Sequence, residues 1–145
     1  MAEVAGQLLV ADASLVVPLV ALESGTEAAK ALLMGAYRWI SPSLLIAEVT
    51  SALRRKVADK ELTDEEAARS LGDLLAAVDD GAIRLVRDED LAPAALRIAT
   101  TEGHKVWDCF YIALAASERA VLATADRKQA RIAETRGIEL VRIGA

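Results

Sequence analysis

The sequence predicts an α/β protein, with a central, mostly parallel sheet of four to five strands flanked by helices. Three observations carry that expectation. Short apolar runs at residues 8–11 and 121–124 alternate with segments of helical spacing, as in strand–helix–strand units on a parallel sheet. Residues 8–11 and 121–123 are apolar without interruption, as strands covered on both faces are. At 145 residues, 54% of them hydrophobic, the chain can hide roughly two-thirds of its unfolded surface. Residues 1–145 therefore read as one domain with a core of Leu, Ile, Val and Ala.

The elements follow in order. Leu8, Leu9, Val10 and Ala11 make the first strand, which ends at Asp12. Ser14 is placed to cap a helix over residues 15–24, with Pro18 in its first turn. Gly25 closes that helix and Thr26 opens a second over residues 27–36. Arg38, Trp39 and Ile40 form a second strand, and Ser41-Pro42-Ser43 starts a helix from residue 44 to about 59. Thr63 stands three residues before Glu66, the spacing of a capping box, and opens a helix to about residue 78. A turn at Asp79-Asp80-Gly81 leads to a strand at 83–86 and a helix at 90–101, with Pro93 in its first turn and Gly103 at its end. Residues 106–117 are apolar on almost every side, which marks a helix sunk in the core. The strand at 121–124 ends near Asp126, a short basic helix spans 127–136, and a last strand spans 138–143.

Charge and rare residues exclude several functions. Lys and Arg number 17 against 22 Asp and Glu, a net charge of −5. Such a chain does not coat DNA; a nucleic-acid role needs a local basic patch or bound cations. The single cysteine, Cys109, excludes an internal disulfide and a thiolate zinc site, and reads as a small core residue. The single histidine, His104, reads as part of an exposed loop and offers no catalytic triad. The longest weakly polar run, 13–22, stops at Glu23, short of the about 20 residues a membrane span needs. No basic residue precedes Lys30, so no secretion signal and a cytoplasmic location are expected.

The chemistry signal is the placement of four acids. Asp12 and Asp126 each follow an apolar strand, and the carboxyl ends of parallel strands form the ligand crevice of such sheets. They face one pocket if the strands are neighbours; otherwise each simply caps the next helix. Glu48 sits at the border of the helix face made by Leu45, Val49, Ala52 and Leu53, as a rim charge or a site residue. Arg55 falls on nearly the same azimuth, as a neighbouring charge or a phosphate contact. Asp108 opens the most apolar helix, either as a cap favoured by the helix dipole or as a desolvated carboxylate that needs a cation. Clustered carboxylates repel unless a cation sits among them, and hard oxygen donors select Mg²⁺ or Mn²⁺. Such an ion turns a bound water into hydroxide and stabilises charge on a phosphodiester.

Four blocks stand in order along the chain: Val10-Ala11-Asp12-Ala13-Ser14; Pro42-Ser43-Leu44-Leu45-Ile46-Ala47-Glu48-Val49 with Ala52-Leu53-Arg54-Arg55; Val106-Trp107-Asp108-Cys109-Phe110-Tyr111-Ile112-Ala113-Leu114-Ala115; and Ala123-Thr124-Ala125-Asp126-Arg127-Lys128. Together they resemble the PIN domain, and more narrowly the VapC-type toxins of bacterial toxin–antitoxin pairs. The resemblance spans nearly the whole chain. It implies a metal-dependent endoribonuclease that cuts single-stranded or loop regions of structured RNA with a metal-bound hydroxide, inhibited by a cognate antitoxin and assembled as a homodimer. By position it makes Asp12, Glu48, Asp108 and Asp126 the metal-binding set, and Ser14 and Thr124 the hydroxyls that position a carboxylate or a water. One departure is Trp107-Asp108-Cys109, where the family often has Tyr-Asp-Ala; the acid is kept. Arg54, Arg55, Lys56, Arg127, Lys128 and Arg131 flank two of the acids, as a positive rim for RNA phosphates or as ordinary solvated helix faces.

Three rivals remain beside this reading. A catalytically silent PIN-like module would bind RNA or protein, and a PIN nuclease could serve RNA maturation. A phosphoacceptor receiver domain also carries acids at strand ends, but it pairs acids after its first strand, where Asp12 stands alone.

Overall fold

The apolar runs form the centre of one sheet. In the computed structural model, which describes residues 6–21 and 37–142, five strands lie parallel: β1 (Gln7–Ala11), β2 (Tyr37–Pro42), β3 (Ile83–Val86), β4 (Val121–Thr124) and β5 (Leu140–Arg142). Their order across the sheet is β3-β2-β1-β4-β5. β1 lies between β2 (Leu9 opposite Trp39) and β4 (Val10 opposite Leu122). Leu9, Val10, Ala11 and all of β4 are buried, which explains runs that do not alternate.

Six helices flank the sheet among the described residues: α1 (Ala13–Ala21), α2 (Leu45–Ala58), α3 (Asp64–Asp79), α4 (Asp88–Glu102), α5 (Val106–Glu118) and α6 (Arg127–Thr135). α1, α2 and α3 pack on one another, and α5 packs against α4, α6 and the three central strands. Cys109, Tyr111, Ile112, Ala113, Leu114 and Ala115 of α5 are all buried, as its all-round apolarity predicts. Cys109 is a free thiol in that core, pushed up to about 11 chiefly by burial. No described helix is long and apolar enough to cross a membrane.

The chain order fixes where a ligand crevice opens. From β1 the chain winds outward through β2 to β3, then returns to the other side of β1 as β4 and continues to β5. The direction of winding reverses between β1 and β4. At such a switch point the connections leave in opposite directions and open a crevice outside the carboxyl ends of the strands. Asp12 and Asp126 stand at those ends.

Several local expectations are corrected. α1 and α4 each start two residues earlier than the sequence suggests, so Pro18 and Pro93 are each the sixth residue of their helix rather than in its first turn. Each proline removes one i→i−4 bond in a helix interior. Ser14 does not cap α1; it lies within it and its hydroxyl turns to Asp12. His104 is not an exposed loop residue, because its side chain is only 10% exposed and packs on Asp108. The helix expected at 27–36, with Gly25 and Thr26, lies outside the described residues.

The capping box is present as read. Thr63 Oγ1 accepts from Glu66 N at 3.1 Å, and Glu66 Oε1 accepts from Thr63 N at 2.9 Å. Thr63→Ala is expected to cost about 1 kcal/mol, read as a lower urea midpoint with an unchanged slope and unchanged activity. An unchanged midpoint would remove the box from the determinants of α3. Gly103 closes α4 at φ 62°, a left-handed conformation that glycine adopts without a Cβ penalty.

Candidate active site

Asp12 is held between the two central strands. Its backbone N–H reaches the Ala123 carbonyl of β4 at 3.4 Å. Its side chain receives two hydroxyl bonds, from Ser14 to Oδ1 at 2.5 Å and from Thr124 to Oδ2 at 2.5 Å. Each hydroxyl oxygen in turn accepts a backbone N–H from the β4–α6 turn: Ala125 N to Ser14 Oγ at 3.1 Å, and Asp126 N to Thr124 Oγ1 at 2.9 Å. Two short relays thus clamp the end of β4 onto the acid that follows β1.

The other three acids arrive from different elements. Glu48 lies in the first turn of α2, half-buried, and its Oε1 accepts from Tyr111 at 2.5 Å. The start of α2 is anchored by Asp88 Oδ1, which accepts from Leu44 N at 3.0 Å. Asp108 lies in the first turn of α5, and its Oδ2 meets His104 Nε2 at 2.8 Å. Asp126 caps α6, Oδ1 accepting from Lys128 N at 2.9 Å and Gln129 N at 3.1 Å. Capping and site placement are not exclusive here, since Asp126 does both.

All four acids line one open cavity of about 810 Å³ at the switch point. Among the described residues none of the four is ion-paired with a lysine or arginine. Their mutual repulsion registers on the most buried of them. Asp12 is 4% exposed, and its carboxyl is raised from 3.8 to about 6. Burial is the main cause; the charges of Asp108 and Asp126 add to it, while the Ser14 and Thr124 hydroxyls oppose it. Glu48 is also raised, chiefly by burial and further by Asp108, against the Tyr111 bond. Burial and the neighbouring Glu48 lift the Tyr111 phenol well above its ordinary range, so it stays a donor.

The donor set fits a hard divalent cation in kind, being four carboxylates whose crowding a cation would relieve. As they stand, no three His, Cys, Asp or Glu side chains among the described residues close into a ready metal cage. Each carboxylate instead turns at least one oxygen to a protein donor.

The expected basic rim is only partly at the cavity. Arg55 and Lys56 line it. Arg55 is exposed and bonds Ser51 Oγ at 3.3 Å; Lys56 pairs with Glu61 at 3.2 Å. Arg54, Arg127, Lys128 and Arg131 are exposed but do not line the cavity. Arg54 is turned ~100° from Arg55 around α2, and in α6 it is buried Gln129 that faces the cavity.

Tyr111 and Gln129 carry no site role in the sequence reading, and His104 is read there only as an exposed loop residue. Tyr111 stands three residues after Asp108 and His104 four before it, spacings that put both on its side of the helix or the adjoining turn. Gln129, 1% exposed and three residues after Asp126, donates to the Asp108 carbonyl at 3.4 Å. Tyr111→Phe is expected to leave the Glu48 carboxylate without its donor and to cost about 1.5 kcal/mol. Because that bond opposes the rise in Glu48, its loss should push Glu48 higher still. The acid limb of any pH–rate profile governed by Glu48 then moves to higher pH, and an unmoved limb would separate Tyr111 from Glu48 function.

Comparisons with known proteins bear on the family and the fold. The PIN domain family model matches residues 9–135. The fold is similar to the crystal structure of PAE2754 from Pyrobaculum aerophilum, at 26% identity and TM-score 0.65, over 94% of this chain and 85% of that one. It is also similar to VapBC2 from Rickettsia felis, solved bound to a DNA fragment from their promoter, at 14% identity and TM-score 0.62, over 94% of this chain and 99% of that one. No curated protein gives a significant match. The chain belongs to the PIN domain family, whose members are generally nucleases.

Proposed function

We propose that the protein is a Mg²⁺- or Mn²⁺-dependent endoribonuclease and the toxin of a type II toxin–antitoxin pair. One observation carries the reading: four carboxylates, none paired with a described lysine or arginine, share one cavity at the switch point of the sheet. Asp12, Asp108 and Asp126 would hold the cation, and Glu48 would hold a second ion or orient the attacking water. When bound, the cation polarises a phosphodiester oxygen and makes a water acidic enough to attack at neutral pH.

The chain's own residues prepare that chemistry. Ser14 and Thr124 fix both oxygens of Asp12, so its charge has one position. Tyr111 holds Glu48 through Oε1 and leaves Oε2 outside that bond for a water or ion. Arg55 and Lys56 on the α2 wall would take phosphates flanking the scissile bond.

A toxin needs an inhibitor, and an acidic cavity whose four carboxylates pair with no described lysine or arginine suits an arginine or lysine from a partner protein. Helices α1 and α2, which pack on each other beside the cavity, would cradle the rest of an antitoxin. The likeness to VapBC2 supports this arrangement. The toxin would be a single-domain homodimer acting in the cytoplasm. A second reading is a silent PIN-like module that binds RNA or protein, against which the presence of all four acids in the cavity counts.

Incubation of total RNA with the purified chain, with and without EDTA, tests the reading. Discrete cuts that vanish with EDTA are expected, and mapping their ends identifies the target. Mn²⁺ binding with no cleavage of any RNA would favour the silent module.

A further inference from the structure

Trp107 is the exception among the aromatic side chains. The chain has two Trp, two Tyr and one Phe. Trp39 and Tyr111 are buried, Tyr37 and Phe110 are half-buried, and Trp107 alone is exposed, by 60%. A large indole left in water in so aromatic-poor a chain forfeits the burial that the other four obtain. Two other large apolar side chains are exposed among the described residues, Leu75 and Leu96, and neither lines the cavity. Trp107 does.

Its setting defines what it suits. Trp107 is the second residue of α5, adjacent to Asp108, and its backbone is held by a helix whose following turns are buried. The platform is therefore rigid, next to a cluster of acids, with Arg55 and Lys56 lining the same cavity. A nucleobase matches this place. Its face is flat and uncharged, so the acids do not repel it, and its flanking phosphates have cations on the α2 wall. Only a base free of its partner strand presents an open face.

We propose that Trp107 is the platform on which an unpaired base beside the scissile phosphate stacks, so that this indole is a specificity-determining contact of the site. The inference rests on the nuclease reading above, and concerns which part of the substrate that site grips.

The indole itself reports the contact, because the only other tryptophan, Trp39, is 5% exposed. A nuclease-resistant phosphorothioate oligouridylate carrying a fluorescein is titrated into the full chain with Mg²⁺, and anisotropy and tryptophan emission are read together. Binding with quenching of the exposed indole is expected, and Trp107→Ala should bind roughly tenfold more weakly. Trp107→Phe should restore most of that loss. For cleavage of single-stranded RNA, Trp107→Ala should raise KM by about tenfold with kcat nearly unchanged, since stacking acts alike before and in the transition state. A fully paired duplex should gain nothing from the indole.

Oligonucleotide binding without quenching, with equal affinity for wild type and Trp107→Ala, overturns the stacking role and leaves the nuclease reading standing. So does a Trp107→Ala variant that alters self-association alone, which would assign the indole to a protein interface. If the wild-type chain neither binds the oligouridylate nor cuts RNA, both readings fall together.

Discussion

Asp12→Asn is expected to abolish RNA cleavage while making the metal-free protein more stable at neutral pH. On the function proposed above, the loss follows from removing a charge that would hold the cation; the several kcal/mol of transition-state stabilisation such ions supply correspond to at least about a hundredfold in rate. The gain follows from burial. The Asp12 carboxyl is raised from 3.8 to about 6, so between those values the native protein holds a proton that the unfolded chain has released. Stability therefore falls as pH rises through that window and stays lowered above it. The difference corresponds to about 3 kcal/mol, to be read as an order of magnitude. Asparagine has one acceptor oxygen where Ser14 and Thr124 donate to two, which returns about 1 kcal/mol. A net gain of about 2 kcal/mol would raise Tm by roughly 5 °C. Thermal unfolding in EDTA at pH 5 and pH 8 checks it. Wild type should lose stability between the two, and the variant should lose less, the remainder coming from Glu48. A variant that cuts RNA at the wild-type rate, or is destabilised at pH 8, would falsify this account of Asp12.

Divalent cations should stabilise the wild-type protein, and only where Asp12 is ionised. Saturation at a hundred times the dissociation constant adds about 2.7 kcal/mol, a rise of roughly 8 °C. The effect should be full near pH 8 and about halved at pH 5, where Asp12, at about 6, is about one-tenth ionised and the same ion concentration binds about tenfold more weakly. Mn²⁺ titration of the EDTA-treated protein, followed by melting, provides the measurement. Equal stabilisation of wild type and Asp12→Asn would mean that the ion binds elsewhere. An absence of stabilisation at pH 8 would mean that the acids do not close around an ion.

Much of this architecture was legible because burial and capping leave local marks. β1 and β4 announced themselves as apolar runs, and α3 by Thr63 and Glu66. The two prolines misled because an N-terminal turn tolerates proline well, so each pulled the expected helix start toward itself. Pair order in the sheet has no local mark. That β1 and β4 are neighbours, and hence that Asp12 and Asp126 share a cavity, depends on a contact between distant segments. His104 was misread for a related reason: a Gly-His-Lys triplet looks solvated until Asp108, one helical turn on, gives the imidazole a partner. The basic clusters fit either a rim or plain solvated helix faces, because charge is visible in sequence, whereas which arginine faces the cavity is decided by helix rotation.

The clamp on Asp12 has a consequence for synthesis of the chain. Thr124 and Asp12 are 112 positions apart, and β4 is the strand that completes the acid's surroundings. A ribosome that stalls before that strand emerges leaves a polypeptide in which Asp12 has no strand beside it and no threonine to fix it. On the function proposed above, products truncated before β4 should not cut RNA, because Asp12 acquires its surroundings only late in the chain.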